Sequence, residues 1–563
     1  MNNEIATMDI ETVNWTEKFL CGGLYNGAEY YESWDENGYF EILLSHNGVI
    51  YAHNGGRFDF LWVVSQMISR GWTPNITMQG SRILKISYGK TTFLDSYPIL
   101  LSSLQKAGEM VGSQKEELGI PFSEFGNLTE GQKKEVSKYL RQDCVLLYDV
   151  LDYIKNYCET HNIILKNTIA SSSWGTVKEW LSLNRAQWRF HTYRKLREGY
   201  YGGRCEVYRT EFQEGERYDR NSSYPAALRN TPLPVGPVLA TGQPNKHFDK
   251  GLEGIYWARV EVPKMFIPPL PVRVGSRLGF PIGIFDGVWT GLELRYAMSH
   301  GVKIHKLKRG LVFRKSEVVF RDAINKIWRL RQLAPTKALN KWLKLFANSL
   351  TGKFAQKPEL ESFYVGEPNT SHFRENPNAY KSVDKEGNYW TRGFSRIGDC
   401  AHVQFAAYLT SEARISLHKT LMQSENPIYC DTDSVYSKKF HGKSGDGLGE
   451  WKREGSLKHW ESLAPKVYRF LDENKEWIVK AKGVPSANYE DFSLLSEGET
   501  VRKGDRPRLF KSSIKKGSIW GQGSLREIKK THRPKEGWVG GRIQRGESPI
   551  TEPPTLEELK ERK

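Results

Sequence analysis

Along the first hundred residues, apolar positions come in short runs broken by turn residues. EIATMDI, GVIYAH, RILKISYG and TTFLDSY each read as a strand. Residues 131–158 behave differently. In GQKKEVSKYLRQDCVLLYDVLDYIKNYC, apolar side chains recur every three or four positions, which predicts a helix. A basic, Trp-rich stretch over 173–197 keeps helical spacing and predicts a connector to a second domain. Residues 231–300 mix Pro and Gly with short strand-like runs, and 315–350 return to helical spacing. The C-terminal stretch is rich in Gly and Lys, with TEPP ahead of a polar tail expected to fray. There is no internal repeat and no long low-complexity tract.

Size and charge narrow the class. A chain of 563 residues is too long for one simple core and predicts at least two. The net charge of +17 fits a polyanionic partner, nucleic acid before an anionic membrane. Its distribution is uneven: residues 1–60 hold ten Asp/Glu against two Lys/Arg, and residues 501–548 hold fourteen Lys/Arg against four Asp/Glu. That asymmetry predicts an acidic, metal-binding start and a basic, phosphate-gripping end. The cysteines at 21, 144, 158, 205, 400 and 430 form no CxxC pair, which argues against structural zinc and a disulfide framework and fits a reducing compartment. No signal pattern opens the chain and no apolar run reaches membrane-spanning length, so a cytoplasmic protein is expected.

Three segments carry the chemistry of the second half. IYCDTDSVYS sets two β-prone runs around a polar turn, which predicts a hairpin with Asp431 and Asp433 on one face. Paired carboxylates make a hard-oxygen site for Mg²⁺ or Mn²⁺. An EF-hand loop is excluded, because Val435 and Tyr436 stand where a further Asp/Asn and a Gly are required. YDRNSSYPAAL places Asp219 at a strand end before a polar turn and a helix with Pro225 in its first turn. In KALNKWLKLFANSLTGKFA, Lys344 and Asn348 share a helix face that Lys341 extends, a surface able to hold a phosphate tail.

YDRNSSYP, KLFANSLTG and YCDTDS, in this order, resemble motifs A, B and C of family B DNA polymerases, and most closely those of the small protein-primed replicases of phages and linear plasmids. YYGGR (Tyr200, Gly202, Gly203, Arg204) resembles their Tyr-x-Gly-Gly segment. PKVYRF resembles their Lys-x-Tyr motif through Lys466 and Tyr468, and VKAKG with Lys480 follows as a returning strand. The resemblance implies that Asp219 and Asp433 bind two Mg²⁺ or Mn²⁺ ions with Asp431 beside them. A primer hydroxyl would attack the α-phosphate of a dNTP in line and release pyrophosphate. It implies that Lys344 and Lys341, with Asn348 and Ser223, contact the triphosphate, and that Tyr224 fills the space a ribose 2′-OH requires. The template-primer DNA would be held by Tyr200, Gly202, Gly203, Arg204, Ser349, Gly352, Lys466, Tyr468 and Lys480. Two positions depart from the family pattern. Thr351 replaces the tyrosine of motif B, and Ser223 stands at a usually apolar position of motif A.

The first half carries a second acidic set. MDIET supplies Asp9 and Glu11 on one strand, AHNGGRFDF supplies Asn54, Phe58 and Asp59, and Tyr139 and Asp143 lie four apart on the predicted helix. Four carboxylates from strands and a helix can support two metals. As an ordered set they resemble the exonuclease motifs of proofreading polymerases. The resemblance implies 3′–5′ hydrolysis, with Asp9, Glu11, Asp59 and Asp143 as ligands, Tyr139 orienting water and Lys115 assisting. Thr12, Asn54 and Phe58 would hold the single-stranded 3′ end.

The expected fold is thus a multidomain chain of α/β and α+β class. An RNase H-like 3′–5′ exonuclease domain (about 1–175) precedes a right-hand polymerase domain (176–563). Within the latter, palm segments are expected near 195–230, 295–320 and 400–455, fingers near 315–355 and a thumb near 485–550. Two insertions, about 231–310 and 356–398, have the length that protein-primed enzymes carry. The expected function is replicative, proofreading DNA synthesis by a monomer, primed by a terminal protein, in the host cytoplasm if phage-encoded. The alternatives are a relative that uses a nucleic-acid primer or none, and a nuclease or DNA-binding protein on a decayed scaffold. All seven carboxylates are present, which weighs against decay.

Overall fold

The computed structural model describes residues 5–562 except 16–17, 73, 122–123, 185, 187, 358–359, 366–379, 384–388, 395–396, 511, 514–518, 522–523 and 534. Most of the expected second insertion and parts of the expected thumb therefore lie outside the described residues. The chain packs as two units. The first comprises Met1–Asn184, Arg329–Cys400 and Gly504–Glu527, and the second Arg185–Trp328, Ala401–Lys503 and Ile528–Lys563. Segments distant in sequence thus join each unit, where contiguous domains were expected.

The first unit is built on a ten-stranded sheet. Within it Ile5–Val13 runs parallel to Val49–Ala52, which is in turn parallel to Thr91–Asp95. Along Ile5–Val13 apolar Ala6, Met8 and Ile10 alternate with Thr7, Asp9 and Glu11, so one face feeds the core while the other, also largely covered, presents the two carboxylates. The helix Glu130–Thr160 starts at a capping box of Thr129 and Gln132. Its apolar stripe, Val136, Leu140, Leu147, Val150 and Ile154, is buried, and the Thr7 hydroxyl donates to the Cys144 carbonyl at 2.7 Å, tying the helix to Ile5–Val13. The expected connector is two helices, Ile169–Trp180 and Phe190–Glu198, with Ser182 left-handed (φ 49°) between them. Helix Lys337–Phe354 is capped by Thr336 and packs its Trp342 indole against the Ile99 carbonyl, 2.9 Å away.

The second unit holds an antiparallel seven-stranded sheet. In order it runs Trp477–Ala481, Val467–Asp472, Trp451–Ala464, Glu211–Arg220, Ser434–Lys439, Glu425–Asp431, Cys205–Val207. Helix Val403–Gln423 is buried over nearly its whole length, including Arg414 and His418. The 295–320 segment, expected in the palm, instead contributes Lys303–Glu317 to a separate four-stranded sheet with Leu233–Thr241, Gly254–Val262 and Gly283–Thr290. A strand of this length pairs with both Leu233–Thr241 and Gly254–Val262, which satisfies its main chain away from the seven-stranded sheet.

The C-terminus does not fray. Thr551–Glu552 is a strand and Leu556–Glu561 a helix closed by a Thr555–Glu558 capping box, with Leu559 packed close to Gly279. Buried Arg542 also anchors this end, donating from Nε to the Thr551 hydroxyl at 2.9 Å and from Nη2 to the Phe266 carbonyl at 3.0 Å. All six cysteines are unpaired thiols, and no helix among the described residues is long and apolar enough to cross a membrane.

Candidate active sites

In the first unit, Asp9 and Glu11 sit on the strand Ile5–Val13, and a register shift between Glu11 and Thr12 breaks its pairing with Lys18–Tyr25 at that point. Asp59 opens the helix Asp59–Ser69, and Tyr139 and Asp143 come from the long helix. Glu11, Thr12, Asp59 and Asp143 are all buried. Burial, then repulsion from Asp59 and Asp143, drives the Asp9 carboxyl well above the usual range. Burial and the Asp143 charge push Glu11 up to about 8, and burial pushes Asp59 up to about 7.

Lys115 is the counter-charge. Its ammonium pairs with Asp143 and lies 4.7 Å from the centre of the Tyr139 ring. Burial works against this ammonium, yet Asp143 and Asp9 raise its pKa overall. Oδ1 of Asp59 and Oδ1 of Asp143 are buried with no hydrogen-bond partner among the described residues. Acceptor oxygens without donors, in a cluster strained by like charge, fit a hard divalent cation. Among the described residues no three of these carboxylates already close on one point as a metal-holding group.

Asn54 is left-handed (φ 64°), and its Oδ1 accepts from Arg82 Nη2 at 2.8 Å. Arg82 is held in turn by buried Asp95, 2.5 Å away, which also accepts from the Gly56 N–H at 3.1 Å. These two support residues were not anticipated. The only signal was a lone acid ending the apolar strand TTFLD.

In the second unit, Asp219 stands opposite Ser434 in the pairing of Glu211–Arg220 with Ser434–Lys439. The Arg220 N–H donates to the Asp433 carbonyl at 2.8 Å. Asp431 also pairs with Ser434, which leaves Thr432 and Asp433 as a two-residue turn. Thr432 has φ 61° and the Asp433 N–H donates to the Asp431 carbonyl at 2.6 Å, the features of a γ-turn. Asp433 has left the strand, so this turn, not strand alternation, sets its place beside Asp431.

Both carboxylates act on Lys466 and on Tyr224. Lys466 Nζ lies 2.6 Å from Asp431 Oδ2. Burial opposes the ammonium, but the Asp431 bond, with Asp433 adding, raises its pKa. Tyr224 is pushed up to about 12 by burial and by neighbouring Tyr200. Lys466, Tyr468, Lys480 and Asp431 line one open cleft of about 540 Å³, with Lys480 opposite Tyr468 across two strands. Ser223 is buried in the first turn of the helix Ser223–Asn230.

Arg204 does not reach the surface. It is 1% exposed, its Nε lies 2.6 Å from Glu206 and its Nη2 donates to the Pro268 carbonyl at 2.6 Å. A phosphate cannot compete for a guanidinium so enclosed, so the expected DNA contact is corrected to a structural role. Its main-chain carbonyl accepts from the Thr432 N–H at 2.6 Å, and a Cβ on Gly203 would meet Thr432 Oγ1 at 2.6 Å. The YYGGR segment is thus a strap pressed on the aspartate turn. Arg414 holds the strap from behind. Its Nη1 donates to the carbonyls of Tyr201 and Gly202, each at 2.9 Å, while Nε pairs with buried Glu293 at 2.8 Å. Glu293 and Arg414 lie far apart in sequence and carried no motif signal.

On helix Lys337–Phe354, Lys341, Lys344 and Gly352 are exposed and Asn348 and Ser349 half-buried, so the predicted face is open. The Ser349 hydroxyl donates back to the Leu345 carbonyl at 2.7 Å. Thr351 is buried, although it lies two turns after Lys344 on nearly the same side of the helix.

The described residues thus hold two separate acidic constellations, one on a mixed sheet under a long helix and one at an antiparallel hairpin. The chain belongs to the type B DNA polymerases of organelles and viruses, whose family model matches residues 122–434. It is 27% identical over 510 residues to the DNA-directed DNA polymerase of Enterobacteria phage PRD1, covering 85% of each chain. It is 22% identical over 528 residues to the DNA polymerase of Bacillus phage Nf, covering 83% of this chain and 87% of that one. Among solved structures, phi29 DNA polymerase complexed with primer-template DNA and incoming nucleotide superposes with a TM-score of 0.74 at 17% identity. That match covers 94% of this chain and all of the other, and it establishes a shared fold.

Proposed function

We propose that this family B DNA polymerase extends a primer 3′ hydroxyl with dNTPs at the Asp219/Asp431/Asp433 site and proofreads by 3′–5′ hydrolysis at the Asp9/Glu11/Asp59/Asp143 site. The observation that carries the first half is the register setting Asp219 opposite Ser434, directly beside the Asp431–Asp433 turn. The buried, mutually repelling carboxylates of the first unit support the second half.

Two Mg²⁺ or Mn²⁺ ions per site would be held by Asp219 and Asp433, with Asp431 adjoining, and by Asp9, Glu11, Asp59 and Asp143. When bound, such ions supply Lewis-acid activation and neutralise charge on the attacking and leaving oxygens. The chain's own residues do the positioning. Lys341, Lys344 and Asn348 bind the triphosphate, and Tyr224 rejects a 2′-OH. Lys466, Tyr468 and Lys480 hold primer-template DNA through contacts that carry no sequence information. At the exonuclease site Tyr139 orients water beside Lys115, while Thr12, Asn54 and Phe58 hold the strand end.

The resemblance of YDRNSSYP, KLFANSLTG and YCDTDS to the motifs of protein-primed replicases supports initiation on a terminal protein, and we read the enzyme as a monomer acting in the host cytoplasm. The test supplies Mg²⁺ and labelled dNTPs with primed template, unprimed template, or template plus a candidate terminal protein. Extension is expected on the primed template, and label on a protein hydroxyl would establish protein priming. Asp433→Ala should abolish extension and keep degradation of single strands. Loss of both activities together would contradict two separate sites.

A further inference from the structure

We propose that Trp15, with Phe58 and Trp520, forms an aromatic cradle that stacks an unpaired base of the single-stranded 3′ end. The inference rests on the exonuclease reading of the first unit and names a binding residue outside its recognised motifs. Its starting point is backbone strain. Directly after the strand bearing Asp9, Glu11 and Thr12, Asn14 and Trp15 both take left-handed conformations, with φ 45° and 65°. Asn tolerates that region, whereas for a bulky aromatic it is an outlier.

Burial does not explain the strain, because Trp15 is 51% exposed. What the conformation achieves is contact. The Trp15 and Phe58 rings meet nearly perpendicular, with centroids 6.1 Å apart and planes at 81°. Trp520 meets Phe58 from another direction, with centroids 5.6 Å apart and planes at 54°. Phe58 directly precedes buried Asp59, so this cluster borders the carboxylates.

A perpendicular contact covers at most one face of Trp15, and about half of the residue is open to a ligand. A strained, exposed aromatic beside a hydrolytic site suits recognition better than folding. The ligand that matches is a nucleobase of an unpaired strand, bound through its π-face without sequence preference.

Trp15→Gly tests this directly, because glycine accepts the left-handed backbone without strain. The full-length variant should melt no lower than the parent and bind single strands worse, whereas a purely structural tryptophan would show the reverse. Degradation is measured on four oligonucleotides: one intact, and three with an abasic nucleotide at the first, second or third position from the 3′ end.

On the intact strand, KM is expected to rise about 5- to 100-fold in Trp15→Gly, with a much smaller change in kcat. The rise should vanish on one abasic oligonucleotide, and Trp15→Phe should recover most of the affinity. An unchanged KM, or the same rise on all four strands, overturns the proposal. Should the parent fail to degrade single strands with Mg²⁺, the exonuclease reading falls on its own. The same cycle, read as binding anisotropy in EDTA, then decides the cradle: coupling between Trp15→Gly and one abasic position supports it, and no coupling overturns it.

Discussion

Gly203→Ala isolates what the strap does for the polymerase site. A Cβ there would lie 2.6 Å from Thr432 Oγ1, 2.7 Å from Cγ2 and 3.0 Å from Cβ. Rotating the threonine does not help, since its Cβ is fixed to the backbone and the γ-atoms replace one another. Normal contact between carbons needs about 3.5–4.0 Å, so the turn or the strap must move by about 0.5–1 Å. Overpacking of this kind costs about 1–3 kcal/mol. The turn carries Asp433 and adjoins Asp431, and a displacement of about 1 Å at a reacting centre lowers rates by about 100-fold. We therefore expect kcat/KM for single-nucleotide primer extension to fall about 10- to 100-fold, together with a lower melting temperature. Gly202→Ala is the control for folding, because nothing lies within 4 Å of its new Cβ; its melting temperature should not change. Adding Thr432→Gly to Gly203→Ala removes the clashing atoms at a residue whose φ of 61° suits glycine, and it should recover most of the lost stability. The reasoning is refuted if Gly203→Ala extends primers within twofold of the parent and melts at the same temperature.

Two further changes probe the support behind the site. Arg414→Met leaves the nearly inaccessible Glu293 without its cation, which should cost about 3–5 kcal/mol in denaturant unfolding. Arg414→Lys should recover little, because one ammonium cannot span Glu293 and two carbonyls at once; full recovery would show that the fork geometry is irrelevant. His418 is buried and neutral, its Nδ1 accepting from the Tyr296 hydroxyl at 2.7 Å and its Nε2–H donating to the Ile267 carbonyl at 2.8 Å. Burial, with the positive Arg204 and neighbouring His300, holds its pKa down to about 3. The unfolded chain binds this proton near pH 6.5, so the contribution is complete above that pH and is lost as pH falls towards 3. The slope is about 1.4 kcal/mol per pH unit. The stability gap between parent and His418→Asn should narrow by that slope between pH 6 and pH 5, and a constant gap would refute the assignment.

How much of this was legible in the sequence follows from the range of each interaction. The strands bearing Asp9 and Asp219, the helix bearing Asp143 and the DTDS hairpin are local patterns, and each forms where the periodicity predicts it. The returning strand with Lys480 is also local, being set by a short hairpin. Arg204 was misread because a basic residue inside a DNA-linked motif looks like a phosphate contact. Nothing local reveals that Glu206, two residues on, and the Pro268 carbonyl enclose it. The C-terminal tail looked frayed for the same reason, since Arg542 and Leu559 gain their partners from residues near 266 and 279. Arg414 and Glu293 were invisible because a buried ion pair between distant segments leaves no spacing to read.

The two acidic sites handle repulsion differently, and this bears on what each ligand must do. In the first unit the carboxylates are buried together, Lys115 pairs with Asp143 alone, and the neighbours keep their mutual strain. Strain held in a packed core is relieved by added positive charge more readily than by motion, so the geometry there is set before the ligand arrives. In the second unit Asp431 is partly exposed on an open cleft and already paired with Lys466, on a side chain long enough to swing away. On the proposed roles, an incoming cation and a primer phosphate would each compete for one half of that pair. Lys466 would then exchange Asp431 for the DNA backbone as the cation takes over its charge, so DNA binding and cation binding would favour one another. No such exchange is built into the first site, where the lysine is enclosed between Asp143 and Tyr139.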